Sequence, residues 1–421
     1  MRKVAILGGV RTPFVKSMTS YVRTSNQEML IAVFNRLIER FGLQGEKLGD
    51  VALGGVMLHP TEWNLAREVV LGTKLDPHTP GYNVQRACGT SLETSWQIAL
   101  KIAAGQMEVG IAAGTDTNSN IAVTLPQTFS WKMVDLQNAK TLMQKLMVIL
   151  SLRPKDFKPQ FPAVMESRTG MSMGQHTEKM VKEWKISRKA QDQLALRSHQ
   201  NAAKAYAEGF FDDMLIEFKG VKKDAFVRGE TTMEKLAKLK PVFDRSGAGT
   251  LTAGNSTPLT DGASSVLLAS EEWAQKNGHE VLAFFRDAEV AAVDFVYGEG
   301  LLIAPTIAVS ELLKRNNLTL QDFDFYEIHE AFAGQVLCTL AAWESGEYCA
   351  RVLKRDRPMG SIDSSKMNVK GGSLATGHPF GATGGRIVAS LAKILQQRGK
   401  GRGLISICTA GGMGVAAIIE R

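Results

Sequence analysis

The chain has 421 residues, of which 44% are hydrophobic and 22% charged, with 40 glycines and a formal net charge of +8. That length exceeds one ordinary core and predicts two or three core-sized units, while the balance excludes wholesale disorder. Four cysteines, Cys88, Cys338, Cys349 and Cys408, form no CxxC pair, which argues against a structural zinc site or a disulfide framework.

The first apolar run, Val4 to Val10, is short and holds two glycines. It reads as a strand; no signal or transit peptide fits it, and no stretch reaches the roughly 18 apolar residues of a membrane span. A soluble cytoplasmic protein of bacterial type is expected. The basic residues are scattered with little aromatic interleaving, so no nucleic acid is expected as partner; a positive field suits a polyanionic small ligand.

Further along, two stretches echo each other. IAVFNRLIERFGLQGEKLGDVALGGVM (31–57) and IAVSELLKRNNLTLQDFDFYEIHEAF (307–332) each read as an amphipathic helix, a turn carrying Asp, and a short apolar strand ending in a loop. A second echo relates Asn83–Gly114 to Asn368–Gly411: a Gly/Cys/His-rich turn, a helix, then an apolar strand. Val4 to Gly9 has its counterpart in Phe284 to Ala292. The shared order of elements predicts a duplicated α/β unit, a pattern that favours mixed sheets covered by helices. Between the halves, 119–248 is rich in Lys, Met and Gln and reads as an insert, with helices over Gln137–Leu150, Met173–Trp184 and Arg188–Glu208. The first half resumes at Leu251. The expected organisation is 1–118 plus 249–272 as the first half, 119–248 as an inserted loop domain, and 273–421 as the second half.

Cys88 lies just before the helical pattern of RACGTSLETSWQIALKIAAG. At a helix N-terminus the free N–H groups and the dipole pull a thiol toward thiolate, although a lone cysteine is more often buried and inert. His378 lies in GGSLATGHPFGATGGR, whose glycines mean that the backbone passes close to another strand or a ligand. Cys408 ends the strand LISIC, and His329 ends the equivalent strand of the other echo; strand ends are where open α/β sheets place functional groups. Together these residues suit acyl transfer through a thioester: a nucleophilic thiolate, a base to create it, a second acid/base and an oxyanion site.

The blocks GGVRTPF, LTAGNSTPLTDGAS, HEAFA, GGSLATGHPFGATGGR and CTAGGMG resemble, in order and along the whole chain, those of the thiolases, the acetyl-CoA acyltransferase family. The resemblance implies an α/β thiolase fold, with two duplicated βαβαβαββ halves in a layered αβαβα core. It implies that Cys88 carries the acyl group, His378 activates it, Cys408 is the acid/base at the substrate α-carbon, and His329 stabilises the thioester oxyanion or enolate. The backbone N–H groups of Cys88 and Ala410 would hold the other oxyanion. Coenzyme A is then a substrate, and no cofactor or metal is expected. Ser256 and Thr257 are carried over as CoA contacts and Met173 as a residue lining the acyl pocket. His at position 329, where Asn is more usual, resembles the long-chain β-subunits of fatty-acid oxidation complexes. Cleavage of 3-oxoacyl-CoA in β-oxidation is therefore the leading expectation; a short-chain acetyl-CoA acetyltransferase is the alternative, and a non-catalytic CoA or lipid binder the outside one. The resemblance further implies a homodimer or higher oligomer and a hydratase/dehydrogenase α-subunit as partner.

One segment leaves two readings open. Lys140 to Pro162 places Leu142, Leu146, Ile149 and Leu150 on one side of a helix, flanked by Met143, Met147 and Val148. Lys140, Lys145, Arg153, Lys155 and Lys158 accompany a single acid, Asp156. Such a stripe covers an acyl tunnel, or it docks the α-subunit or an anionic membrane surface.

Overall fold

The computed structural model describes residues 2–421. Its strands are β1 (Val4–Arg11), β2 (Val15–Lys16), β3 (Asp50–Leu53), β4 (Gly81–Asn83), β5 (Val109–Asp116), β6 (Met165–Glu166), β7 (Met171–Ser172), β8 (Thr260–Ser270), β9 (Ala283–Ala292), β10 (Phe325–Ile328), β11 (Arg402–Thr409) and β12 (Met413–Glu420). All but β6 and β7, which pair with each other, join one sheet in the order β4-β3-β5-β8-β1-β9-β12-β11-β10, with β2 against β8. The duplication is written in that order. Parallel β3/β5 is matched by parallel β10/β11, antiparallel β5/β8 by β11/β12, and antiparallel β8/β1 by β12/β9. The counterpart of β4 is reduced to a single parallel bridge between Tyr326 and Met367. The halves meet where β1 pairs antiparallel with β9 over Val4–Ile6 and Ala283–Phe285.

Alternation along the strands builds the layers. Ala5, Leu7, Leu267 and Ala269 turn outward to Val33, Phe34 and Leu37 of the helix Asn26–Phe41. Val4, Ile6, Val266 and Leu268 turn inward to Ile98 and Ile102 of the helix Thr90–Ala103 and to Val388, Leu391 and Leu395 of the helix Thr383–Arg398. In the second half Ile405, Ile407, Val415 and Ala417 join that inner core, while Leu404, Ala416 and Ile418 pack outward with Val309 and Leu312 of the helix Pro305–Arg315. Helix, sheet, paired central helices, sheet and helix are thus stacked in five layers. Every residue of β1 and β5 is buried, as expected of strands covered on both faces.

The insert is tied to β1 by a buried ion pair. Arg11 places two nitrogens 2.6 and 2.7 Å from the Asp224 carboxylate, which also accepts from Tyr206 and from the Phe14 backbone. The helices Met173–Glu183 and Arg188–Ala207 form as expected. The single helix expected over Gln137–Leu150 is instead two, Gln127–Asn138 and Leu142–Ser151. Ala139 is extended, and Thr141 opens the second helix in a reciprocal capping box with Gln144, a local preference that ends one helix and starts another. The pair is stapled by Lys132, which donates to the Ser151 carbonyl and to Asp156, each at 2.6 Å. No residue of either helix is buried; Leu142 is 84% exposed and Leu150 75%. The stripe is thus mostly open to solvent instead of buried as a tunnel cover would be.

Candidate active site

Cys88 lies in a 3₁₀ turn, Ala87–Gly89, that runs directly into the helix Thr90–Ala103. Its sulfur is 3.2 Å from Nε2 of His378, which reaches it from the other half across the central helix pair. Two glycines make this approach feasible. Gly377 adopts φ +98, a left-handed turn that directs the chain into His378. At Gly384 a Cβ would stand 2.3 Å from the Leu92 nitrogen, so the two central helices touch backbone to backbone. Ser91 closes the contact by accepting the Gly385 N–H at 2.7 Å.

A helix N-terminus by itself lowers a thiol, but here burial outweighs it and pushes Cys88 up to about 12, against a smaller opposing pull from the backbone N–H groups of Ala410 and of Cys88 itself. Desolvation of the anion outweighs the dipole. Burial, helped by the nearby Arg386 guanidinium, holds His378 down to about 3. The resting pair is thus a neutral thiol beside a neutral imidazole. Nδ1 of His378 is 2.6 Å from the Thr383 hydroxyl, an orienting partner that the sequence reading did not single out, since a threonine in GATGGR reads as a helix start.

His329 follows β10 and is fully buried, its ring 4.2 Å from that of His378. Nδ1 meets the Ser373 hydroxyl at 3.0 Å, whereas Nε2 has no partner among the described residues. Cys408 is buried near the end of β11, opposite Gly414; burial and then the neighbouring Cys88 hold its thiol well above the usual value. Ligand atoms of Cys88, His329 and His378 lie within 4.8 Å of one another, a Cys/His₂ donor set that a soft divalent ion could accept. Cys338 and Cys349 stand apart, buried in the outer core of the second half.

The loop after β11 is gripped from the insert: Glu166 accepts the Gly411 N–H at 2.6 Å. On the first half, Asp116 at the end of β5 accepts the N–H groups of Val56, Met57 and Gly381, and burial raises its carboxyl to about 6. It too was missing from the sequence reading, because a strand-end aspartate carries no distinctive pattern.

A cleft of about 670 Å³ lies beside the His378 loop, lined by Lys16, His199, Phe226, Arg228, Ser256 and Leu374 among others. Ser256 lines it, its hydroxyl buried and without a partner among the described residues, whereas the Thr257 hydroxyl donates to the Ala331 carbonyl at 3.0 Å. Met173 packs partly buried against the outer core of the second half, in company with Phe243 and Phe295.

Comparisons with known proteins agree with this architecture. Residues 4–272 match the model of the thiolase N-terminal domain and residues 279–421 that of the thiolase C-terminal domain. A 3-ketoacyl-CoA thiolase of Shewanella sediminis is 41% identical over 99% of this chain and 97% of its own, and one of Yersinia enterocolitica 39% identical over the same shares. Among solved structures, an acetyl-CoA acetyltransferase of Bacillus anthracis superposes with a TM-score of 0.81 at 30% identity, covering 100% of this chain and 99% of that one. The Acat5 thiolase of Ascaris suum, in complex with coenzyme A, gives 0.81 at 25% identity with both chains fully covered. With both halves matched end to end and the motif-bearing turns of each half meeting at one site, the chain belongs to the thiolase family.

Proposed function

We propose that the chain is a 3-ketoacyl-CoA thiolase that cleaves 3-oxoacyl-CoA with coenzyme A, giving acetyl-CoA and a shortened acyl-CoA. The observation that carries this reading is the 3.2 Å contact between the Cys88 thiol and His378 at the start of a central helix. Nε2 of His378 takes the thiol proton, which requires Nδ1–H to donate to Thr383. The Cys88 thiolate adds to the 3-keto carbon, and the N–H groups of Cys88 and Ala410 hold the resulting oxyanion. The bond between C2 and C3 then breaks, leaving an acyl group on Cys88. The departing enolate of acetyl-CoA, its oxygen held by His329, takes a proton from Cys408. In the second half-reaction Cys408, now a thiolate, takes the proton of the CoA thiol, whose sulfur attacks the acyl group and frees Cys88. Coenzyme A enters as substrate, and the cleft at Ser256 and Arg228 suits its phosphates and pantetheine arm. No resident cofactor or metal is called for.

Incubation with acetyl-CoA should leave an acetyl adduct on the Cys88 peptide by mass spectrometry; an adduct on Cys338 or Cys349 would overturn the assignment. Relative rates from short to long 3-oxoacyl chains separate the long-chain reading from a short-chain acetyltransferase. This reading carries with it a cytoplasmic homo-oligomer. The exposed Leu142–Ser151 stripe supports a contact outside its own core, with a hydratase/dehydrogenase subunit or an anionic membrane.

A further inference from the structure

Behind His329 lies a chain of buried polar groups that catalysis by Cys88, His378 and Cys408 does not use. Nη2 of Arg386 is 3.0 Å from the Ser373 hydroxyl oxygen, and that oxygen is 3.0 Å from Nδ1 of His329. Ser373, Arg386 and His329 are all buried, and Nε2 of His329 has no partner among the described residues. The donor inventory gives this chain a direction. A guanidinium has donors and no acceptor, so Ser373 must accept from Arg386. A serine hydroxyl has one proton, and among the described residues no acceptor other than Nδ1 of His329 pairs with it. The arrangement that leaves this proton paired sends it to Nδ1 of His329, and the proton of the neutral ring then sits on Nε2.

We infer that Arg386 and Ser373 are positioning residues that lock His329 as the Nε2–H tautomer, presenting a donor to the thioester or enolate oxygen. His378, whose ring is 4.2 Å away, needs the opposite tautomer, with Nδ1–H on Thr383 and Nε2 free to accept. Two adjacent imidazoles are thus set to opposite duties by two hydroxyls. Ser373 is given its direction by a cation, and Thr383 receives its proton from the base. Arg386 is suited to this task because it is buried and carries donors but no acceptor. Burial above all, then His378 and this guanidinium, disfavour a second proton on His329.

The inference rests on the proposed role of His329, and the test separates the two. In protein labelled with ¹⁵N-histidine, proton–nitrogen correlations report each ring's tautomer, with His329 assigned by its disappearance in His329→Asn. The expected spectrum has His329 protonated at Nε2 and bare at Nδ1; a proton on Nδ1 overturns the relay with no variant needed. In Ser373→Ala the single tautomer should be lost, and kcat for thiolysis should fall about ten- to hundredfold with KM little changed, part of the cost of losing one oxyanion donor. Ser373→Thr, which keeps the hydroxyl, should restore both. A Ser373→Ala protein with unchanged tautomer and unchanged kcat would remove Ser373 from the positioning role. The spectrum decides the relay by itself, whereas turnover of 3-oxoacyl-CoA by the wild-type enzyme decides the reading on which it rests.

Discussion

The two halves of the molecule place equivalent strand ends at the same crevice and spend them differently. In the second half, β10 runs into His329 and β11 delivers Cys408. In the first half, β3 runs into glycines, and β5 ends in Asp116, whose carboxylate is occupied by three backbone N–H groups. One of these belongs to Gly381, in the loop that carries His378. In the proposed mechanism the first half lends a single reacting side chain, Cys88, from its helix start, while its strand end serves as scaffold for the loop of the other half.

This contrast can be broken most severely at the base. His378→Ala should lose both half-reactions, with turnover down by up to about 10⁶-fold, the scale for losing the base of a nucleophile–base pair. Cys408→Ser should also abolish thiolysis yet still acquire an acyl group on Cys88, measured by mass spectrometry. Wild-type thiolysis in that variant would remove Cys408 from its role. At the equivalent end of the first half, Asp116→Asn should act on stability instead. It turns an acceptor into a donor facing backbone N–H groups, a loss of about 1–3 kcal/mol in denaturant titration, while the folded fraction still acylates.

A smaller effect concerns charge. With the Cys88 thiol pushed up to about 12 and His378 held at about 3, both groups are neutral at every pH between those values. Thiolate absorbance of the free enzyme should therefore show no inflexion between roughly pH 5 and 9, whereas a resting thiolate–imidazolium pair would produce one. The least change in the enzyme itself is expected from replacing Leu146, Ile149 and Leu150 with Ser. These side chains are 47–75% exposed, so stability should stay within about 0.5 kcal/mol and short-chain thiolysis should survive. Co-purification with a hydratase/dehydrogenase subunit, or liposome binding, is what should weaken.

What could be read from the sequence follows from where physics acts locally. Cys88, His378, His329 and Cys408 announce themselves because each sits at a glycine-marked turn or a strand end, and the repeated order of helix, turn and strand exposes the duplication. Ser373, Thr383, Arg386 and Asp116 do not, since their importance lies in partners distant in sequence: Arg386 reaches His329 through Ser373, and Asp116 reaches Gly381 across halves. The upward shift of the thiol is not local either. A helix start is legible in local sequence, but the burial that overrides it comes from packing the second half on top. The break at Ala139–Thr141 has a local cue, the Thr141–Gln144 capping box, but the helical spacing of apolar residues runs on across it and masks the stop.

The seam between the halves bears on how the chain is made. β1 lies between β8 and β9, and its register partners begin beyond residue 260: Val4 pairs with Ser270 on one side and Phe285 on the other. At a synthesis rate of roughly 5–20 residues per second, the first strand waits about 15 to 50 seconds on the ribosome before either neighbour exists. For that interval VAILGGVR is an apolar segment with both edges unpaired, a template for the wrong partner. Nascent chains halted before β8 should accordingly depend on a holding chaperone, and that dependence should end once β9 has emerged.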